Sequence, residues 1–208
     1  MLEFLLNTFV VLLVVVDPMG VAALFAGMTA DSSEEERRRI ALRGTAIATA
    51  ILLPFLFGGQ ALLAALGISL EAFRIAGGFL LLLIAIDMLF GRQLGQQAST
   101  GADVKRRNDI SVFPLAIPLI AGPGTMTTLL LRNGYAAGRW EYVVALVAVL
   151  LAVLAITYAV LRTTNTVMRW FGETGTKVMS RVLGMLLAAL AVQYMIDGIQ
   201  RSFFSVNA

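Results

Sequence analysis

Six apolar runs, separated by short polar or charged segments, limit what this chain can fold into. They fall at about 4–28, 40–63, 72–90, 110–131, 142–161 and 178–199. Each approaches or exceeds the ~20 residues a helix needs to cross the ~30 Å hydrocarbon core of a bilayer. No water is available there, so every backbone N–H and C=O must be satisfied by the protein. Only helices and closed barrels do this. The runs show no alternation of apolar and polar residues, and they are about twice the length of a barrel strand. The expected fold class is an all-α membrane protein with six transmembrane helices. Composition agrees: 59% of the 208 residues are apolar, 14% are charged and the mean hydropathy is +0.85. A soluble domain has roughly 45–50% apolar and 25% charged residues.

The chain has no cysteine and no histidine. That argues against disulfides, thiol redox work and most transition-metal sites. Imidazole proton shuttling is excluded too, which leaves any proton coupling to carboxylates. No GxxxxGK[ST], HExxH or GxSxG pattern occurs, so neither ATP hydrolysis nor the hydrolytic chemistries those motifs carry is expected. The expectation is a non-enzyme without a bound cofactor, with H⁺ or Na⁺ as the coupling ion if transport is active. The net charge of +3 is not a nucleic-acid footprint, because the basic residues lie between apolar runs, where orientation signals belong. Membrane lipid is the expected surrounding partner. The first charge is Glu3 and no basic residue precedes Arg37, so the first run is expected to be a span and not a signal peptide.

Ser33 is placed to cap the second helix, with Glu36 at the capping-box position. Segment 93–109 is polar, with Gly, Ser and a Lys-Arg-Arg run, and reads as a linker. It divides the chain into a first three-helix unit, 1–92, and a second, 110–208. The third and sixth runs match at a constant offset: Arg74 with Arg181, Gly77 with Gly184, Leu80 with Leu187, Leu83 with Leu190, Met88 with Met195, Gly91 with Gly198 and Gln93 with Gln200. Three helices per unit place the two units in opposite orientation, the inverted-repeat plan of many secondary transporters.

The first and fourth runs share a further feature. Asp17-Pro18-Met19-Gly20 interrupts the first near its middle. Pro114, Pro118 and Gly122-Pro123-Gly124-Thr125 interrupt the fourth. Proline removes an amide donor and clashes with the preceding turn. Asp before Pro also suits a helix start, with Asp as cap and Pro at the first helical position. Both runs are expected to split into half-helices near mid-membrane. The second half-helices would then offer free amides and a positive dipole end to an anionic group. The alternative is two proline kinks re-satisfied by neighbouring helices, with no ligand. Asp17 has two compatible roles, capping its half-helix and binding a cation or proton. The candidate substrate-binding residues are Asp17, Pro18, Met19, Gly20, Gly122, Pro123, Gly124 and Thr125.

These motifs, together with Arg74-Ile75-Ala76-Gly77-Gly78, Pro114-Leu115-Ala116-Ile117-Pro118, Arg181-Val182-Leu183-Gly184 and Asp197-Gly198-Ile199, resemble the MarC family of bacterial inner-membrane proteins over nearly the whole chain. That family is similar to the wider lysine-exporter-like group, some members of which move small neutral amino acids. The resemblance implies an inner-membrane transporter of solutes such as glycine or alanine. A structural or regulatory membrane protein without substrate is the competing expectation. Neither direction of transport nor oligomeric state is legible in the sequence.

Twelve of the sixteen Lys and Arg residues fall on one side when the connections are numbered alternately. That side is expected to be cytoplasmic, so both termini should face the periplasm. A C-terminal reporter active only in the periplasm should therefore score positive. Activity of a reporter restricted to the cytoplasm would reverse the orientation.

Overall fold

The structure, a computed structural model, describes residues 1–90, 110–135 and 139–204. The 93–109 linker falls outside the described residues, as do Gly91 and Gln93 of the repeat alignment. The described residues form eight helical elements: α1 (Leu2–Val16), α2 (Pro18–Met28), α3 (Glu34–Ala65), α4 (Leu70–Phe90), α5 (Ser111–Ile120), α6 (Pro123–Tyr135), α7 (Trp140–Arg162) and α8 (Thr164–Phe204).

Local sequence accounts for the boundaries. Ser33 caps α3, its Oγ accepting a 3.2 Å bond from the Glu36 amide. The helix therefore begins at Glu34, ahead of its apolar run, with Glu34, Glu35 and Glu36 in the first turn, where they complement the helix dipole. The segment expected as a loop between the fifth and sixth runs is instead helical. Only Thr163 separates α7 from α8, and α8 is 41 residues long. That segment has no proline, and the Thr163 and Thr164 hydroxyls bond back to the carbonyls of Ala159 and Leu161 at 2.7 Å. The chain thus turns at one residue and re-enters helix. Within α5 the backbone is irregular. Phe113 and Ile117 are extended, and each precedes a proline, which excludes the helical region for the residue before it.

Five helices are long and apolar enough to cross a membrane, and α5 with α6, bent by 48° at their junction, make a sixth candidate. Large apolar side chains stay exposed all along them, among them Phe57, Phe79, Leu83, Val144, Leu151 and Leu186. A water-soluble monomer rarely shows apolar surface on this scale. The buried side chains form two clusters. The larger holds Leu12, Leu52, Leu115, Ile120, Leu129, Leu146 and Leu150. The smaller gathers Leu81, Leu131, Leu187 and Tyr194 between α4, α6 and α8.

Contacts between helices fix their directions. Gly44 of α3 meets Leu115 of α5, and Gly59 meets Leu130 of α6, fifteen residues further along both segments. The α5–α6 pair therefore runs parallel to α3 for about 22 Å at 1.5 Å per residue. Asn133 near the end of α6 donates to the Leu56 carbonyl at 2.9 Å. Against α1 the pair is antiparallel: Asn7 accepts from Arg132, and Val15 meets Gly124. Against α4 it is antiparallel again, through Gly77 on Thr127 and Leu81 on Gly124. Helices α4 and α8 form the most extensive pairing, also antiparallel. A Cβ built at Gly78 would stand 2.7 Å from the Ala191 carbonyl oxygen, one at Gly184 3.0 Å from the Met88 Cβ, and one at Gly198 2.6 Å from the Ile75 side chain. Small residues let these backbones approach, as in many membrane helix pairs. The remaining neighbours are α1 on α7, α5 on α3, α2 on α8, α2 on α7, and α3 on α7. At one end Arg37 clamps three elements. Its guanidinium donates to the Thr29 and Ala30 carbonyls after α2 and to Asn165 Oδ1 at the start of α8.

Gly78→Leu should separate α4 from α8 and destabilise the purified protein by about 1–3 kcal/mol, the cost of overpacking a close contact. Gly58→Ala is the control, because nothing stands within 4 Å of its Cβ position in mid-α3. It should stabilise by roughly 0.5–1 kcal/mol. Equal melting temperatures for the two variants in detergent would remove the close-packing account.

Candidate functional site

The first interruption is a single residue. Asp17 ends α1 and starts α2 in the left-handed region, φ 46° and ψ 68°. Asp tolerates this conformation better than most residues because its short polar side chain bonds locally. Its Oδ1 accepts a 3.1 Å bond from the Gly20 amide, and Pro18 occupies the first helical position. A side chain at Gly20 would displace the Asp17 carboxylate from its capping position. The dual cap explains why the chain stops one helix and starts the next without a loop.

The second interruption falls at Ala121 and Gly122, between α5 and α6. Gly122 lies against the Pro118 carbonyl oxygen, too close for any side chain. Pro123 opens α6, and the first α-type bond runs from the Met126 amide to the Gly122 carbonyl at 3.0 Å. The buried Thr125 hydroxyl reaches back across the break to the Ile120 carbonyl at 3.0 Å. The amides of Gly124 and Thr125 have no acceptor within their own helix. Gly122 offers no side-chain cap, whereas Asp17 already occupies the Gly20 amide. The two helix starts are therefore unequal. The Gly20 amide is taken by Asp17, which leaves Met19 of α2 and Gly124 and Thr125 of α6 as the first-turn amides without an acceptor in their own helix.

The structure brings the two interruptions together. Val15 Cγ1 stands 3.3 Å from the Cβ position of Gly124. Asn7 and Arg132, joined at 2.6 Å, are eight residues further away along each antiparallel helix. The same register sets Asp17 beside Gly122. Pro18, Gly122, Gly124 and Thr125 are buried, while Asp17, Met19, Gly20 and Pro123 are half-buried. The junction is closely packed, with Leu81 of α4 against Gly124. An open groove of about 470 Å³ lies elsewhere, along Leu2, Glu3, Leu6, Asn7 and Val10 of α1. One to two turns from the junction stand further buried polar side chains, Thr8, Arg74, Thr128 and Tyr194, of which the motif reading raised only Thr128 as able to line a site. Their sequence signal was weak, because Arg74 stood out for the repeat and the others are common helix residues.

This geometry defines an integral membrane protein, a helical bundle with two helix starts meeting inside it. Residues 2–203 match the profile described as MarC family integral membrane protein. A UPF0056 membrane protein of Methanocaldococcus jannaschii is 34% identical over 200 residues, covering 96% of this chain and 97% of that protein. The UPF0056 inner membrane protein MarC of Citrobacter koseri is 32% identical, covering 91% of each chain. The UPF0056 inner membrane protein YhgN of Escherichia coli K12 is 33% identical, covering 94% of this chain and 96% of that one. No solved structure matches. The chain belongs to the MarC family.

Asp17→Asn keeps both a cap and a residue tolerant of the left-handed region, and should melt within a few degrees of the parent. Asp17→Val loses the cap, worth about 1 kcal/mol, and adds about 1–2 kcal/mol of backbone strain. Its melting temperature in detergent should fall well below that of Asp17→Asn. Equal loss in both variants would shift the role of Asp17 from geometry to charge.

Proposed function

We propose that this protein is a secondary transporter, an exporter or facilitator, that moves small neutral amino acids such as glycine and alanine across the inner membrane. The observation that carries the reading is the meeting of the two interruptions, with Val15 on Gly124 and Asp17 level with Gly122. Unwound backbone inside a bilayer must be buried in protein or line a polar space. Discontinuous helices whose half-helix starts point at one place are how many transporters hold a substrate carboxylate. Here the carboxylate goes to the open Gly124 and Thr125 amides. Each such helix start contributes roughly 0.3–1 kcal/mol when exposed, and up to about 2 when partly buried. The substrate ammonium goes to carbonyls before the breaks, with Asp17 at hand. The residues that make the close quarters, Pro18, Met19, Gly20, Gly122 and Pro123, select for small side chains by volume.

The six-span, inverted-repeat architecture belongs to the same reading. Runs of chain alternate in direction only if α5–α6 counts as one crossing. Were that pair re-entrant, α8 would run parallel to α4, whereas their contacts are antiparallel. Exchanging the two halves also maps packing neighbours onto one another. Helix α1 lies on α7 as α5 lies on α3, α2 on α8 as α6 on α4, and α2 on α7 as α6 on α3. The third and sixth spans pair across the axis, as do the second and fifth. The repeats are then 1–92 and 110–208, joined by a cytoplasmic linker, with both termini periplasmic. In this reading the protein is not an enzyme and holds no cofactor. It works in lipid, and it draws on an H⁺ or Na⁺ gradient where transport is uphill.

A second reading, a structural or regulatory membrane protein, is favoured by the tight packing of Leu81 and Val15 on Gly124. The same packing makes Gly20→Leu and Gly124→Leu poor tests, since both would disturb the fold. Thr125→Val is better, because it keeps side-chain volume and removes the bond across the second break. In proteoliposomes the parent should exchange labelled glycine or alanine, and Thr125→Val should lower the rate at least tenfold with folded protein retained. A parent inactive towards both amino acids, with or without H⁺ and Na⁺ gradients, leaves the structural reading or efflux of other solutes.

A further inference from the structure

Arg74 is 4% exposed on α4, and its Nε and Nη1 are buried without a hydrogen-bond partner in the structure. A guanidinium cannot shed its proton at any ordinary pH. Burial of an ion is tolerated when the ion is paired and hydrogen-bonded. Glu71, one turn earlier on the same helix, makes no ion pair with it among the described contacts. The guanidinium therefore lacks its counter-charge.

The surroundings suit an anion. Gly77 meets Thr127 and Leu81 meets Gly124, so Arg74, one turn before Gly77, is level with about residue 131 of α6. At that level Thr8 of α1 is fully buried, with its Oγ1 also unpartnered; the Asn7–Arg132 bond fixes its height. Tyr194 of α8 donates to Thr128 Oγ1 at 3.4 Å. The half-buried carboxylates nearest along the same helices are Glu71, one turn from Arg74, and Asp197, one turn from Tyr194, whose Oδ1 accepts from Gln193 at 2.7 Å. A buried cation and buried hydroxyls from three helices thus share this region, and neither Glu71 nor Asp197 forms an ion pair with the guanidinium among the described residues.

We propose that Arg74, with the hydroxyls of Thr128 and Tyr194, forms a binding site for one oxyanion, either the carboxylate of a small solute or the phosphate of a lipid headgroup. Thr128 is four residues along α6 from Gly124, roughly 6 Å at helical rise, and Arg74 is level with a point about seven residues along, roughly 10 Å, so the guanidinium stands apart from the helix start at the break. The site does not depend on the transport reading, and binding is its readout.

The test uses the full chain, purified in neutral detergent, melted at constant ionic strength. One arm adds sodium acetate or glycine against sodium chloride, and the other adds phosphatidylglycerol against phosphatidylcholine. The parent should show a saturable rise in melting temperature. Arg74→Met should need at least tenfold more anion for the same rise. Replacing a buried ion by an apolar side chain of similar length is often tolerated, and circular dichroism checks the fold. Thr128→Val, nearly isosteric, should weaken binding by a few fold and stands in if Arg74→Met fails to fold. A rise with acetate or glycine identifies a solute carboxylate, and a rise with phosphatidylglycerol alone identifies a headgroup. No rise above the chloride and phosphatidylcholine controls, or an equal rise in Arg74→Met, overturns the site. An Arg74-dependent rise in a protein that moves neither glycine nor alanine, with or without H⁺ and Na⁺ gradients, keeps the site and removes the amino-acid transport reading.

Discussion

Satisfaction of the backbone in a medium without water governs the rest of this molecule. Each amide and carbonyl within the hydrocarbon layer needs a protein partner, which is why 60% or so of the chain can be apolar and still adopt one fold. The two interruptions test that rule, and both comply by local means. At the first, the Asp17 carboxylate takes the Gly20 amide and the Asp17 amide still bonds to Leu13. At the second, Thr125 answers the Ile120 carbonyl and the Ala121 amide bonds to Ala116. What remains over are the first-turn amides of Met19 on α2 and of Gly124 and Thr125 on α6, at the two helix starts. A polar remainder in such a place is where membrane proteins do their chemistry.

Close approach of backbones sets the frame around that remainder. Between membrane helices the apolar surface of a partner is no better than lipid, so packing and polar contacts decide which helices pair. Glycines at 77 and 78 let α4 touch α6 on one side and α8 on the other. Gly184 and Gly198 continue the α4–α8 seam. Because α4 lies between α6 and α8, it carries Arg74 to within about one turn of Thr128 and Tyr194. The packing that holds the bundle shut at Leu81 and Gly124 is thus continuous with the packing that buries the guanidinium.

Much of the fold was legible in the residues. Run length gave the spans, Ser33 and Asp17 marked helix starts, and proline placement marked both breaks, because each of these is a local matter of backbone donors and sterics. The first part of α8, between the fifth and sixth apolar runs, reads as loop in the sequence and is helical in the structure. Charge and polarity there suggested solvent, and the hydroxyl bonds of Thr163 and Thr164 that carry the chain on into helix leave little trace in composition. The pairing of the two breaks was suggested by motif likeness, yet their level depended on the register of α1 against α6. That register is set by contacts 109 and 125 residues apart in sequence.

By itself the sequence determined that this chain crosses a membrane, where its helices stop, and that Asp17 and Gly122 interrupt two of them. The cause is local, since hydropathy over twenty residues and the chemistry of Pro, Gly and Asp act within a turn or two. Only the tertiary structure decided that Gly124 meets Val15 and Leu81, that Tyr194 reaches Thr128, and that Arg74 is buried without a counter-ion among the described residues. Those outcomes depend on which helix faces which. In a bilayer that choice is made by van der Waals fit between distant small residues, a quantity no single apolar helix encodes.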